Sequence, residues 1–226
     1  MFFPNKRIFI HIPKTGGSSL EFAISKKYFL EQNDLFENRK EYKDFITNHG
    51  LGGINEKRKI EEMSYEKFTI NGFFKDLKKG KGGHPHSYIS EYQEFLDLKK
   101  YEKFVILRNP FDQVISLYNQ MRIQVEINSL DDFVMCEGLH NIKKYRHYID
   151  QYSFTHIDGV LAVDKVFVFD RYKEAQDYVE ETFNIKIDRS LRLWKTEYSG
   201  EKLSGTARRY FENVYSQSIE LYSKFI

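Results

Sequence analysis

The stretch "RIFIHIPKTGGSSLEF", residues 7 to 22, limits what this chain can fold into more than any other. Ile8, Ile10 and Ile12 alternate with Arg7, Phe9 and His11, and the run is rich in β-branched and aromatic residues, so it predicts a strand. Leu20, Phe22, Ala23 and Ile24 then recur near helical spacing, with Ser18 or Ser19 as the expected cap and Glu21 in the first turn. A strand that enters a helix through a glycine turn presents backbone N–H groups and the positive end of a helix dipole to an anion. Many α/β proteins use glycines at such a junction for steric reasons alone. Here the turn also carries Lys14, Thr15, Ser18 and Ser19, donors that a purely structural turn does not need, so it predicts a phosphate or sulfate-ester site. It is not a Walker A loop, because that motif places its lysine after the glycines, whereas Lys14 precedes Gly16 and Gly17.

A second junction lies in "KYEKFVILRNPFDQVISLYNQMR", residues 100 to 122. Phe104 to Leu107 is a continuous apolar run of the kind found in buried parallel strands. Asn109 is the expected cap, Pro110 suits the first helical position, and Phe111, Val114, Ile115 and Tyr118 form a helical stripe. Arg108 then stands at the carboxyl end of a strand, where ligands bind in open α/β sheets, with Ser116 inside the helix. Either residue alone would also suit a structural role. "DKVFVFDRY", residues 164 to 172, predicts a third core strand followed by a helix over about 173 to 183. Residues 205 to 225 predict one C-terminal amphipathic helix, with Arg208 and Arg209 at its start as either a solvated pair or phosphate contacts.

A chain of 226 residues with 41% hydrophobic content can bury one substantial core, so a single α/β domain spanning 1 to 226 is expected. Residues 28 to 82 lack a sustained period and predict an insertion on the acceptor side. The net charge of +2 is too balanced for a dedicated nucleic-acid binder. The single cysteine, Cys136, excludes an intramolecular disulfide, and no Cys/His set has zinc spacing, which favours a reducing, cytoplasmic compartment. No apolar run reaches the roughly 20 residues of a membrane span, and the first strand starts too early to leave room for a signal peptide. A soluble enzyme of bacterial type is the expectation.

Together, "HIPKTGGSS" and "LRNPFDQVISLY" resemble the two cofactor motifs of sulfotransferases that use 3′-phosphoadenosine 5′-phosphosulfate (PAPS). The likeness is to the carbohydrate branch that includes heparan-sulfate 2-O-sulfotransferase and small bacterial relatives. It is strong over residues 7 to 24 and 84 to 122 and suggestive over 164 to 172. The resemblance implies a P-loop-like α/β fold with a central, mostly parallel sheet flanked by helices. It implies that Lys14, Thr15, Gly16, Gly17, Ser18 and Ser19 hold the 5′-phosphosulfate, and that Arg108 and Ser116 hold the 3′-phosphate. The second arginine of the family pattern R-x-P-x-x-R-x-x-S is Gln113 here.

The family also carries a histidine before its second motif, and "GGHPHSYISEYQEFL", residues 82 to 96, offers His84 and His86. Histidine's near-neutral pKa suits a general base for a hydroxyl. The spacing from His86 to Glu91 resembles the small bacterial relatives, and Gly83-His84 resembles the animal enzymes, so both remain candidates. The implied reaction is in-line sulfuryl transfer from PAPS to a saccharide or glycan hydroxyl, with Lys14 neutralising the leaving group and 3′-phosphoadenosine 5′-phosphate (PAP) as product. The chemistry requires no metal, and the sequence shows no carboxylate cluster for magnesium. Lys75, Lys78, Lys79 and Lys81 would steer an anionic glycan or form a solvated face. Two other readings stay open. One is a non-catalytic module that binds nucleotide and glycan; the other is a kinase, for which Asp170 would end a Walker B strand.

Overall fold

The computed structural model describes residues 2–3, 6–30, 86, 88–93, 97–122, 127–135, 149–190 and 200–226. Strand β1 (Phe2–Phe3) pairs antiparallel with β2 (Arg7–Ile10). β2 runs parallel to β3 (Glu102–Leu107), which runs parallel to β6 (Lys165–Val168). The sheet order is β1, β2, β3, β6, and a separate hairpin joins β4 (His156–Ile157) to β5 (Val160–Leu161). The mostly parallel α/β architecture expected from the sequence is therefore the observed one.

Ile8, Phe9 and Ile10 are all fully buried, because helices cover both faces. On one face Ile8, Ile10, Val105 and Leu107 pack with Phe154 of α5 (Gln151–Thr155) and with Ile89 and Tyr92 of α2 (Ile89–Gln93). On the other, Phe9 stacks on Phe104 with centroids 4.9 Å apart, and Phe104 meets Tyr178 and Phe183 of α6 (Tyr172–Phe183). Helix α1 (Gly17–Leu30) packs against α6 on that side.

The second junction forms as its sequence predicts. Helix α3 (Pro110–Met121) starts with proline at its first turn, and Asn109 Oδ1 accepts from Phe111 N at 3.0 Å. Its apolar stripe joins Leu130, Phe133 and Val134 of α4 (Leu130–Met135) and Phe211 in a second core.

Three expectations are corrected. The third strand ends at Val168, and Phe169–Arg171 forms a 3₁₀ turn. Helix α1 begins at Gly17, ahead of both serines, so Ser18 and Ser19 lie inside the first turn and Glu21 falls beyond it. The C-terminal helix is two helices, α7 (Gly205–Val214) and α8 (Ser216–Ser223), broken at Tyr215 with φ −110° and ψ 25°. The break has a packing cause: Phe211 belongs to the α3–α4 core, whereas Leu221 and Tyr222 belong to the sheet core. A straight helix would not present both faces. The expected insertion lies outside the described residues apart from residues 28 to 30, as do His84, Cys136 and the lysines at 75, 78, 79 and 81. Among the described residues, no helix is long and apolar enough to cross a membrane.

Candidate active site

The turn between β2 and α1 has an unusual backbone. Lys14 has φ 65° and Gly16 has φ 85°, two left-handed residues flanking Thr15. Such alternation turns successive peptide N–H groups toward one concavity, a form that binds anions. The first N–H groups of α1 likewise have no partner within the helix.

The carbonyls of this turn are taken by side chains. Thr15 Oγ1 donates to Ile12 O at 2.8 Å, Gln113 Nε2 to Pro13 O at 2.9 Å, Arg108 Nη1 to Lys14 O at 2.9 Å and Tyr172 Oη to Gly16 O at 2.7 Å. His86 Nδ1 lies 2.9 Å from His11 O. A loop whose carbonyls at Pro13, Lys14 and Gly16 are held from outside keeps its donors available to an incoming anion. Thr15 is fully buried with its hydroxyl spent on Ile12, so what it can offer a ligand is its backbone N–H.

Both glycines are required sterically. A Cβ at Gly16 would stand 2.8 Å from Phe169 Cε2, and one at Gly17 would stand 2.5 Å from His11 Cδ2 and 2.8 Å from Phe9 Cζ. The case for an anion therefore rests on the charges brought together more than on the glycines. The Lys14 pKa is lowered to about 8, by burial first and by the Arg108 guanidinium second. The charge of an anion seated between these cations would oppose this shift by attracting the Lys14 proton.

Arg108 is fixed from several directions. Gln151, fully buried, brackets its backbone: Arg108 N donates to Gln151 Oε1 at 3.0 Å and Gln151 Nε2 donates to Arg108 O at 2.7 Å. The guanidinium carbon lies 4.6 Å from the Phe169 ring centroid. Ser116 is buried one turn beyond Gln113 on the same side of α3. Gln113 occupies its position in the family pattern as a buried tie between α3 and the loop.

The His86 ring meets that of His11 edge-on, with centroids 4.5 Å apart. A carbonyl accepts only from a protonated nitrogen, so the contact with His11 O puts the proton of neutral His86 on Nδ1 and makes Nε2 the unprotonated ring nitrogen. Beneath the loop, buried His11 Nδ1 contacts Glu21 Oε2 at 2.7 Å.

The structure thus brings Lys14, Gly16, Gly17, Arg108 and His86 around one turn, with Ser18 and Ser19 in the first turn of the adjoining helix. Arg208 is engaged elsewhere, pairing with Glu212 at 2.9 Å and covering the Phe111 ring at 4.4 Å, and Arg209 is exposed. Asp170 accepts from Tyr222 Oη at 2.6 Å. Among the described residues, no group of three or more His, Cys, Asp or Glu side chains forms a metal cluster. Sequence reasoning missed Gln151, His11 with Glu21, and the pair Phe169 and Tyr172. A buried glutamine in a short helix carries no local signal, whereas two aromatics straight after a strand could have drawn notice.

No curated protein matches the chain. A sulfotransferase from Alicyclobacillus acidocaldarius, known from a crystal structure, is similar at 14% identity over 100% of this chain and 98% of that one, with a TM-score of 0.42, a likeness too distant to carry an argument. A sequence model described as the sulfotransferase family matches residues 4–224, nearly the whole length, and on that match this chain belongs to the sulfotransferase family.

Proposed function

We propose that the chain transfers a sulfuryl group from PAPS to a hydroxyl of a saccharide or glycan, with His86 as general base. Membership of the family supports sulfuryl transfer in general. The observation that carries the finer reading is the pairing of Lys14 with Arg108 over a loop whose carbonyls at Pro13, Lys14 and Gly16 accept from side chains outside it. The residues present, two cations with backbone and hydroxyl donors, fit a polyanionic ligand. The loop N–H groups, Lys14 and the hydroxyls of Ser18 and Ser19 would hold the 5′-phosphosulfate, and Arg108 with Ser116 would hold the 3′-phosphate. The saccharide class rests on the resemblance of the motifs.

When bound, PAPS supplies the sulfuryl group and a nucleotide leaving group. His86 Nε2 takes the proton of the acceptor hydroxyl, while Nδ1 stays committed to His11 O and fixes the ring. Lys14 places its charge beside the oxygen on which negative charge grows as the nucleotide departs, assisted by the fixed N–H dipoles of the loop. The backbone ties from Arg108, Gln113 and Tyr172 keep those dipoles in place before the reaction starts.

Thermal unfolding with PAP, and with Mg·ATP as comparison, tests the cofactor assignment. At about a hundred times the dissociation constant PAP should add about 2.7 kcal/mol, or on the order of 5–10 °C. A shift with Mg·ATP alone would favour a kinase. Binding of PAP in a wild type that transfers no sulfuryl group to any acceptor would favour a binding module.

The lowered Lys14 pKa gives a pH signature. The free protein begins to lose this proton near pH 8, and a bound polyanion raises the pKa, so binding takes up a proton above that pH. Affinity for PAP should therefore fall as pH rises, approaching about tenfold per unit above pH 8. In Lys14→Met this dependence should disappear, and a calorimetric series from pH 7 to 9.5 with parallel slopes for the two proteins would refute the assignment.

A further inference from the structure

The charged groups of the site come from the first two strand-to-helix junctions, but the third junction touches both. The Phe169 ring lies against the Arg108 guanidinium at 4.6 Å. The same ring closes on Gly16, with Cε2 2.8 Å and Cδ2 3.1 Å from where a Cβ would stand, and Tyr172 Cε2 is 3.0 Å from that point. Tyr172 also donates its hydroxyl to Gly16 O at 2.7 Å. The two rings pack on each other at 5.6 Å with a tilt of 51°. Phe169 does this at the cost of staying 36% exposed, so burial alone does not account for its position.

From this geometry we propose that Phe169 and Tyr172 are positioning residues that set the two anion-binding motifs separately, Phe169 orienting Arg108 for the 3′-phosphate and Tyr172 orienting Gly16 for the 5′-group. The proposal rests on the cofactor reading above. A guanidinium is planar: stacking on an aromatic ring fixes its plane and leaves its edge N–H groups for a ligand. One edge group already donates to Lys14 O, so the ring below and the carbonyl at the edge together define the orientation of the rest. Tyr172 acts on the loop instead. By holding the Gly16 carbonyl outward at φ 85°, it keeps the N–H groups that follow directed at the anion.

Separate roles predict separable losses, read by calorimetric titration with PAP and with AMP, which lacks the 3′-phosphate. The ratio of the two affinities in the wild type measures what the 3′-phosphate site contributes. Phe169→Leu should lower that ratio on the order of 3–10-fold while AMP binding stays within about twofold. Phe169→Tyr, which keeps a ring under Arg108, should retain the wild-type ratio. Tyr172→Phe should weaken both ligands alike, on the order of 3–10-fold, with the ratio unchanged. An unchanged ratio in Phe169→Leu, or an equal loss of both ligands there, would overturn the role of Phe169. Should the leucine variant unfold, Phe169→Met supplies the same comparison. A wild type that binds PAP no better than AMP would instead mean that the 3′-phosphate reading of Arg108 has failed.

Discussion

Replacing His86 with alanine is expected to lower turnover by about 10²–10⁴-fold while leaving the affinity for PAP within about twofold of wild type. The asymmetry follows from where the ring is tied. Its Nδ1 contact is to His11 O, at the end of β2, and not to the N–H groups of the turn, so removing the ring deletes a proton acceptor without deleting an anion donor. Turnover assays and calorimetric titration on the same preparation check both halves. A parallel loss of PAP binding would remove His86 from the role of base and make it part of the loop's support. His84→Ala is the matching control: a large turnover loss there, with His86→Ala near wild type, would transfer the role to His84.

Substitution of the two cations is expected to act on binding. Lys14→Ala and Arg108→Ala should each weaken PAP on the order of 10–100-fold, the range for losing a charge-assisted hydrogen bond to phosphate. Lys14→Ala should also lower turnover beyond its effect on binding, since charge on the leaving group grows only as the reaction proceeds. Arg108 has a second duty, because its Nη1 holds Lys14 O. Arg108→Lys keeps the charge but not the planar fork, so it should recover little of the loss. If Arg108→Lys bound PAP like the wild type, a simple point charge would suffice, and the bracket formed by Gln151 and Phe169 would have no bearing on recognition.

The sequence made the three junctions legible because the signals that form them are local. β2, the glycine turn and the start of α1 are written within residues 7 to 22, and β3, Asn109, Pro110 and α3 within residues 102 to 121. Misreadings came where a neighbour overrode the local pattern. The third strand stopped at Val168 where Phe169 turns toward Arg108, and the C-terminal helix broke because two cores claim its two halves.

By itself, then, the sequence determined that a lysine-bearing glycine turn and an arginine would stand at the carboxyl ends of parallel strands, since each follows from residues adjacent in the chain. Only the tertiary structure decided what holds that turn open. Three of its carbonyls take partners from far along the chain: Arg108 is 94 residues from Lys14, Gln113 is 100 from Pro13 and Tyr172 is 156 from Gly16. Those pairings depend on the order and register of the strands, which no short stretch encodes, and they exist because buried backbone carbonyls must each find a donor once the sheet has closed around them.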